Sequence, residues 1–226
     1  MKPQATIVGS DENLERKLFV RIARRTDEFE GYPRAHAERI AMLAAEIGII
    51  FNLASKDRQS LQAAALLHDV GEAAMARDYI QRVGSLTDAE RLDLERHTVI
   101  GEQEAARTGA DRATQLIIRW HHEWWNGGGY PDALRREEIP LAARILRVAD
   151  SYASMRERRP FRPALTESEA RARLAAWAGI EFDPRVVEAL LMLGPFPDFQ
   201  SLASAAEPTT NEKPDAADEL FASFRR

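Results

Sequence analysis

Residues 62–72 read QAAALLHDVGE: an Ala/Leu-rich run that ends on an adjacent histidine and aspartate. Alanine and leucine are strong helix formers, so the run predicts a short helix over residues 57–68 that delivers His68 and Asp69 at its end. The fold then turns on what the rest of the chain brings to the same place.

Working outward, the apolar pattern has a helical period almost throughout. Leu14, Leu18 and Ile22 recur at i, i+4 and i+8, which predicts a helix over 12–25. Pro33 suits the first turn of a helix over about 34–50. There Ile40, Leu43, Ala44, Ile47 and Ile50 form one stripe, with His36 on the same face. Thr87 and Glu90 make a capping box that opens a helix reaching to about 107. A further helix covers 111–122 and runs into Gly127–Gly129. Pro140 starts a helix over 141–156 with a polar stripe of Arg144, Arg147, Ser151 and Ser154; Asp150 lies at the edge of the opposite face. Thr166 and Glu169 form a second capping box, Gly179 can end its helix, and Asp183-Pro184 caps the last core helix. No repeat and almost no strand signal is present. The expectation is one all-α helical bundle over 12–194, with a metal centre in its core. A tail over 1–11 precedes it; a linker and C-terminal tail over 195–226 follow, the latter with a short helix near its end.

The chain has 226 residues and a formal net charge of −5. That balance argues against binding a nucleic-acid polymer, which calls for a basic excess. There is no cysteine, so disulfides, zinc thiolates and cysteine nucleophiles are excluded. Any metal must be held by His, Asp and Glu. No apolar run approaches the roughly 18–20 residues of a membrane helix, and residues 1–13 have no apolar signal region. A cytoplasmic protein without a membrane partner is expected.

His36, His68-Asp69, His97, His121-His122 and Asp150 recur at intervals of 32, 29, 24–25 and 28 residues, counted from one group to the next. In a helical protein each interval is about one helix and one loop. Ligands placed in this way can converge at one depth of a bundle, as in other helical metal sites. All five histidines of the chain belong to this set. Imidazole and carboxylate suit Fe, Mn, Ni or Zn, and seven ligands are too many for one ion but about right for two. Two ions about 3.5–4 Å apart can serve an in-line phosphoryl displacement.

HDVGE (68–72), RHTVIGE (96–102), HHEWWNGGGYP (121–131), IPLAARILRVADSY (139–152) and ERRPFR (157–162) together resemble the HD-GYP branch of the HD superfamily. The likeness runs from about residue 29 to 193. It implies a binuclear metal-dependent phosphodiesterase that hydrolyses cyclic di-GMP to the linear dinucleotide or GMP through a metal-bridging hydroxide. By that resemblance Asp69 bridges the metals, His36, His68 and Asp150 complete one site, and His97, His121 and His122 complete the other. Two divalent transition metals are implied, Fe or Mn first, with Ni or Zn as alternatives. Arg159, Arg162, Tyr130 and Gly129 are the implied substrate contacts. Glycines in the loop would let backbone approach a bulky ligand or turn sharply.

The family motif usually reads HDIGK, and here Glu72 replaces the lysine. Asp69 and Glu72 are the candidate catalytic residues, with Glu72 repelling phosphate unless it binds a metal or a water. Ala153 replaces a carboxylate three residues after Asp150. In tri-metal members a glutamate stands four residues before the first histidine; here that position is Tyr32, so two metals are expected. Glu72 and Glu123 read otherwise as solvated or supporting groups, and the tryptophans at 120, 124 and 125 as packing. Two rival functions follow from the substitutions. One is a catalytically weak regulator or adaptor acting on a signalling partner or as a homodimer. The other is an HD phosphohydrolase for another nucleotide or phosphate ester.

Overall fold

A computed structural model of the chain describes residues 8–32, 35–158, 163–194 and 216–224. Pro33, Arg159, Arg162, residues 1–7 of the expected tail and the linker over 195–215 lie outside them. The described residues form α1 (Val8–Phe29), α2 (His36–Ile50), α3 (Ser55–Leu67), α4 (Val70–Met75), α5 (Asp78–Gln81), α6 (Asp88–Leu94), α7 (His97–Arg107), α8 (Arg112–Trp120), α9 (Leu141–Arg156), α10 (Glu167–Trp177), α11 (Pro184–Met192) and α12 (Ala216–Ser223). The all-α expectation holds. Among these residues the only β feature is an isolated bridge between Ala178 and Phe182.

The capping signals act where they were read. Thr87 and Glu90 cap α6, Thr166 and Glu169 cap α10, and Asp183 caps α11 ahead of Pro184. The helix expected to continue to residue 107 instead stops at Leu94 and restarts at His97. The break has a local cause. His97 Nδ1 turns to Leu94 O at 2.7 Å, and Thr98 Oγ1 donates to Glu95 O at 3.1 Å. Side-chain donors thus take carbonyls that a continuous helix would use internally.

Helices α2, α3 and α9 pack together, α3 backs onto α8, and α7 is held between α4 and α8. Ile40, Leu43, Ile47, Leu61, Leu67, Ile118, Ile145 and Leu146 are completely buried at these contacts. Each contributes roughly 1.5–3 kcal/mol of transfer free energy. Two stripe positions depart from expectation. Leu14 is 70% exposed near the start of α1, and Ile50 is 44% exposed in the last turn of α2. The crossing of α4 and α7 is unusually close. A Cβ on Gly71 would strike the His97 carbonyl oxygen and come within 2.7 Å of Gly101 N. This contact sets the gap between Asp69, at the start of α4, and His97, at the start of α7. At the other end of the chain α12 lies on α1, with Ala217 buried and Asp218 paired to Arg25.

Candidate metal centre

Three histidines are aimed by one local device. His68, His97 and His121 stand at or just past the ends of α3, α6 and α8. Each turns Nδ1 back to the carbonyl three residues earlier: Ala65 at 3.0 Å, Leu94 at 2.7 Å and Ile118 at 2.6 Å. A carbonyl only accepts, so Nδ1 carries a proton and Nε2 is the nitrogen left to face a metal. This is the usual support of a metal-binding imidazole. His36, at the start of α2, places Nδ1 3.1 Å from Glu157 Oε2. Tyr32 stacks on its ring at 3.8 Å and 13°.

The donor atoms of Asp69, His97, His121 and His122 lie within 4.8 Å of one another, as do those of His36, His68 and Asp150. The two groups meet at Asp69: Oδ2 is 2.9 Å from His68 Nε2, and Oδ1 is 3.5 Å from His97 Nε2 and 3.6 Å from His121 Nε2. Asp150 Oδ1 is 3.8 Å from His36 Nε2 and accepts from Ser154 Oγ at 3.1 Å. The Nε2 atoms of His36, His97 and His121 are buried without a hydrogen-bond partner, and so is Asp69 Oδ1. Buried polar atoms are rarely left this way. Lone pairs and carboxylates pointed at common centres fit cations between them.

The electrostatics agree. Burial holds His36 down to about 3 and His97 to about 4, the neutral state a ligand needs. Burial, with His121 and Arg147 adding to it, keeps His122 well below its ordinary value. His68 differs. Burial opposes its charge, but the Asp69 carboxylate outweighs burial and raises it to about 10. In this pair a proton stands where a cation would. Asp69 is itself held well below the usual carboxylate range, burial being overcome by His68 and the other imidazoles.

Sequence reasoning missed three residues: Glu30, Glu157 and Arg147. Glu30, buried two residues before Tyr32, forms a third group with Asp69 and Glu72, their carboxylate oxygens within 4.8 Å of one another. Tyr32 therefore does not leave this side of the centre without a carboxylate. Burial, then repulsion from Asp69, raises Glu72 to about 8. Glu157 lies beside His36 and pairs with Arg39. Arg147 was read only as part of a polar stripe. It donates to Glu181, lies 3.8 Å from Asp150 Oδ2, and places Nη1 2.8 Å from His122 Nδ1. Glu123, read as a solvated or supporting group, is buried and accepts from Asp132 N at 2.7 Å and Leu134 N at 3.1 Å. A charged stripe on the same helix as Asp150 was the available signal for Arg147; nothing in the sequence marked Glu30.

The glycine loop folds on its own chain. A Cβ on Gly129 would collide with the backbone of His122 to Trp124, with Glu123 C at 2.7 Å. The close approach expected toward a ligand is thus made, at this position, to protein. Tyr130 lies over His122 at 4.9 Å and 19°. The tryptophans pack, as read: Trp120 Nε1 donates to Asp132, Trp124 meets Trp177 edge-on, and Arg144 lies over Trp125.

A family model described as HD domain matches residues 19–186. The chain is 37% identical over 183 residues to the cyclic di-GMP phosphodiesterase response regulator RpfG of Xanthomonas campestris pv. campestris, covering 80% of this chain and 48% of that protein. It is 34% identical over 161 residues to a cyclic di-GMP phosphodiesterase of Thermotoga maritima, covering 70% and 44%. The chain thus spans about half, or less, of the length of these relatives. Among solved structures, a cyclic GMP-AMP specific phosphodiesterase of V. cholerae (V-cGAP3) has the same fold. It superposes with a TM-score of 0.68 at 21% identity, over 92% of this chain and 58% of that one.

Proposed function

The chain belongs to the HD domain family, and from that membership we propose that it is a metal-dependent phosphodiesterase of the HD-GYP type acting on a cyclic dinucleotide, cyclic di-GMP first. The supporting observation is the convergence of four buried imidazole Nε2 atoms on Asp69 and Asp150. The activities named for the two curated relatives point to the substrate. Residues 12–194 are the unit proposed to carry the activity.

In this reading His36, His68 and Asp150 would hold one divalent ion, His97, His121 and His122 would hold a second, and Asp69, where the two groups meet, would serve both. Fe or Mn is proposed first, with Ni or Zn as alternatives suited to the same donors. When bound, such a pair supplies activated water and charge neutralisation at phosphorus. Tyr130, Gly129, Arg159 and Arg162 are the proposed substrate contacts, and Glu72 faces the same centre.

One observation favours a second reading, a weakly catalytic regulator with a protein partner or a second copy. Glu72 gathers with Glu30 and Asp69 where the family motif carries lysine, so an approaching phosphate meets carboxyl groups. The test is anaerobic incubation of the Fe- or Mn-loaded protein with cyclic di-GMP, with products separated by chromatography. Linear dinucleotide or GMP should appear. Asp69→Ala should lose metal and reduce turnover by more than about 100-fold, the upper range for residues that only support a ligand. Intact cyclic di-GMP recovered from wild type holding two metals per chain would favour the regulator.

A further inference from the structure

A cleft beside the candidate centre is lined by none of the residues proposed above. It lies between the end of α1, α4 and α12, and its volume is about 830 Å3, within the roughly 300–1,000 Å3 of small-molecule sites. Three phenylalanines line it, Phe29 from α1 and Phe221 and Phe224 from α12, and each is only half-buried. Each ring is thus left partly in water, at a cost in exposed apolar surface. Between them Ala73, Ala76 and Ala222 present only methyl groups, so no large side chain fills the space. The rings are held from behind. Ala217 is buried, Asp218 pairs with Arg25, and the Arg25 guanidinium lies 5.4 Å from the centre of the Phe221 ring. Phe221 and Phe224 stand 5.1 Å apart, tilted by 58°.

The cleft adjoins the candidate centre. Phe29 precedes Glu30 and Ala73 follows Glu72, and these two glutamates gather with Asp69. Ala76 stands seven residues past Asp69, a helical rise of about 10 Å. That is the scale of one nucleotide, so a phosphodiester at Asp69 would bring its base toward the phenylalanines. Bases stack on aromatic side chains. One polar group selects among bases. Glu28 is exposed at the rim, and its carboxylate has no partner among the described residues. An ionised carboxylate only accepts. Guanine offers it two adjacent donors, N1–H and the 2-amino group, where adenine presents the N1 lone pair.

We propose that this cleft is a guanine site: one base of the cyclic dinucleotide stacks among Phe29, Phe221 and Phe224 with its N1–H and 2-amino edge on Glu28. The inference deepens the phosphodiesterase reading and rests on it for the substrate, yet the two fail separately. The test uses the full metal-free chain with 13C-labelled phenylalanine rings, titrated with GMP and with AMP. GMP should shift the ring signals of Phe29, Phe221 and Phe224, and AMP should shift them less at equal concentration. Glu28→Gln, at an exposed position, should weaken GMP about tenfold and leave AMP unchanged, because a site built for a donor pair discriminates by that pair. In the metal-loaded chain Phe221→Leu should raise the KM for cyclic di-GMP about tenfold, as loss of one stacking partner does, with metal content unchanged. Three silent rings, or GMP bound as tightly by Glu28→Gln as by wild type, overturns the inference even where cyclic di-GMP is hydrolysed. Shifted rings in a chain that leaves cyclic di-GMP intact when loaded with two metals overturn the phosphodiesterase reading instead and keep the guanine site.

Discussion

Asp27 caps a helix to which it does not belong. Ala35, at the N-cap position of α2, offers no side-chain hydrogen bond. The Asp27 carboxylate reaches across from α1 and accepts from Ala37 N at 3.3 Å. Burial raises its carboxyl to about 7. In the unfolded chain the same group titrates near 3.8, so folding takes up a proton between the two values. The stability this group contributes is full below about 3.8 and is lost as pH rises through about 7. Metal-free wild type should therefore lose stability relative to Asp27→Asn as pH rises from about 4 to about 8. Urea midpoints of the two proteins, measured across that range, check it; parallel curves would refute it. Glu72 carries a second prediction at this scale. Glu72→Lys puts a cation beside Asp69 and Glu30 and should lower the KM for cyclic di-GMP about fivefold, the yield of ~1 kcal/mol. An unchanged or higher KM in steady-state assays would mean that phosphate does not pass Glu72.

Among the helices, the crossing of α4 and α7 governs the site most directly. Gly71→Ala must push α7 back, because the atoms a Cβ would strike are backbone. It should destabilise the fold by about 3 kcal/mol, within the range of severe single substitutions, and reduce metal content, read by denaturation and by elemental analysis. A control at Thr87, whose cap lies away from the centre, should cost about 1 kcal/mol as Thr87→Ala and leave metal content unchanged. Elements were legible wherever a local signal set them: Thr87 with Glu90, Thr166 with Glu169, and Asp183 with Pro184. The break between α6 and α7 was not, because no glycine or proline marks it. It is made by His97 and Thr98 side chains bonding carbonyls three residues back, which sequence periodicity does not register. Helix α4 was lost to reading for a related reason: six residues are too few to show a period.

For the whole molecule, the candidate centre is a tie. His36 comes from α2, His68 and Asp69 from the α3–α4 junction, His97 from α7, His121 from the end of α8 and Asp150 from α9. An ion bound there should stabilise the bundle by about 4 kcal/mol when free metal exceeds its Kd a thousandfold. A chelator should accordingly lower the melting temperature of the metal-loaded chain, and Asp69→Ala should melt like the chelated form with or without added metal. Equal melting of loaded and chelated wild type would sink the tie. The histidines of the centre could be read from sequence because histidine is scarce here and every one falls in the set. Glu30 and Arg147 could not, since a charged residue on an amphipathic helix or in a loop reads as solvent-facing until its partners are placed. The Gly71–Gly101 crossing also bears on how freely this sequence can vary. Side chains of a core exchange for others of similar volume with modest loss, whereas backbone in contact with backbone has nothing to exchange. The spacing between Asp69 and His97 is thereby insulated from drift in the surrounding core. In a saturation library selected for retained metal, Gly71 should stand with the ligands themselves among the positions that accept no replacement.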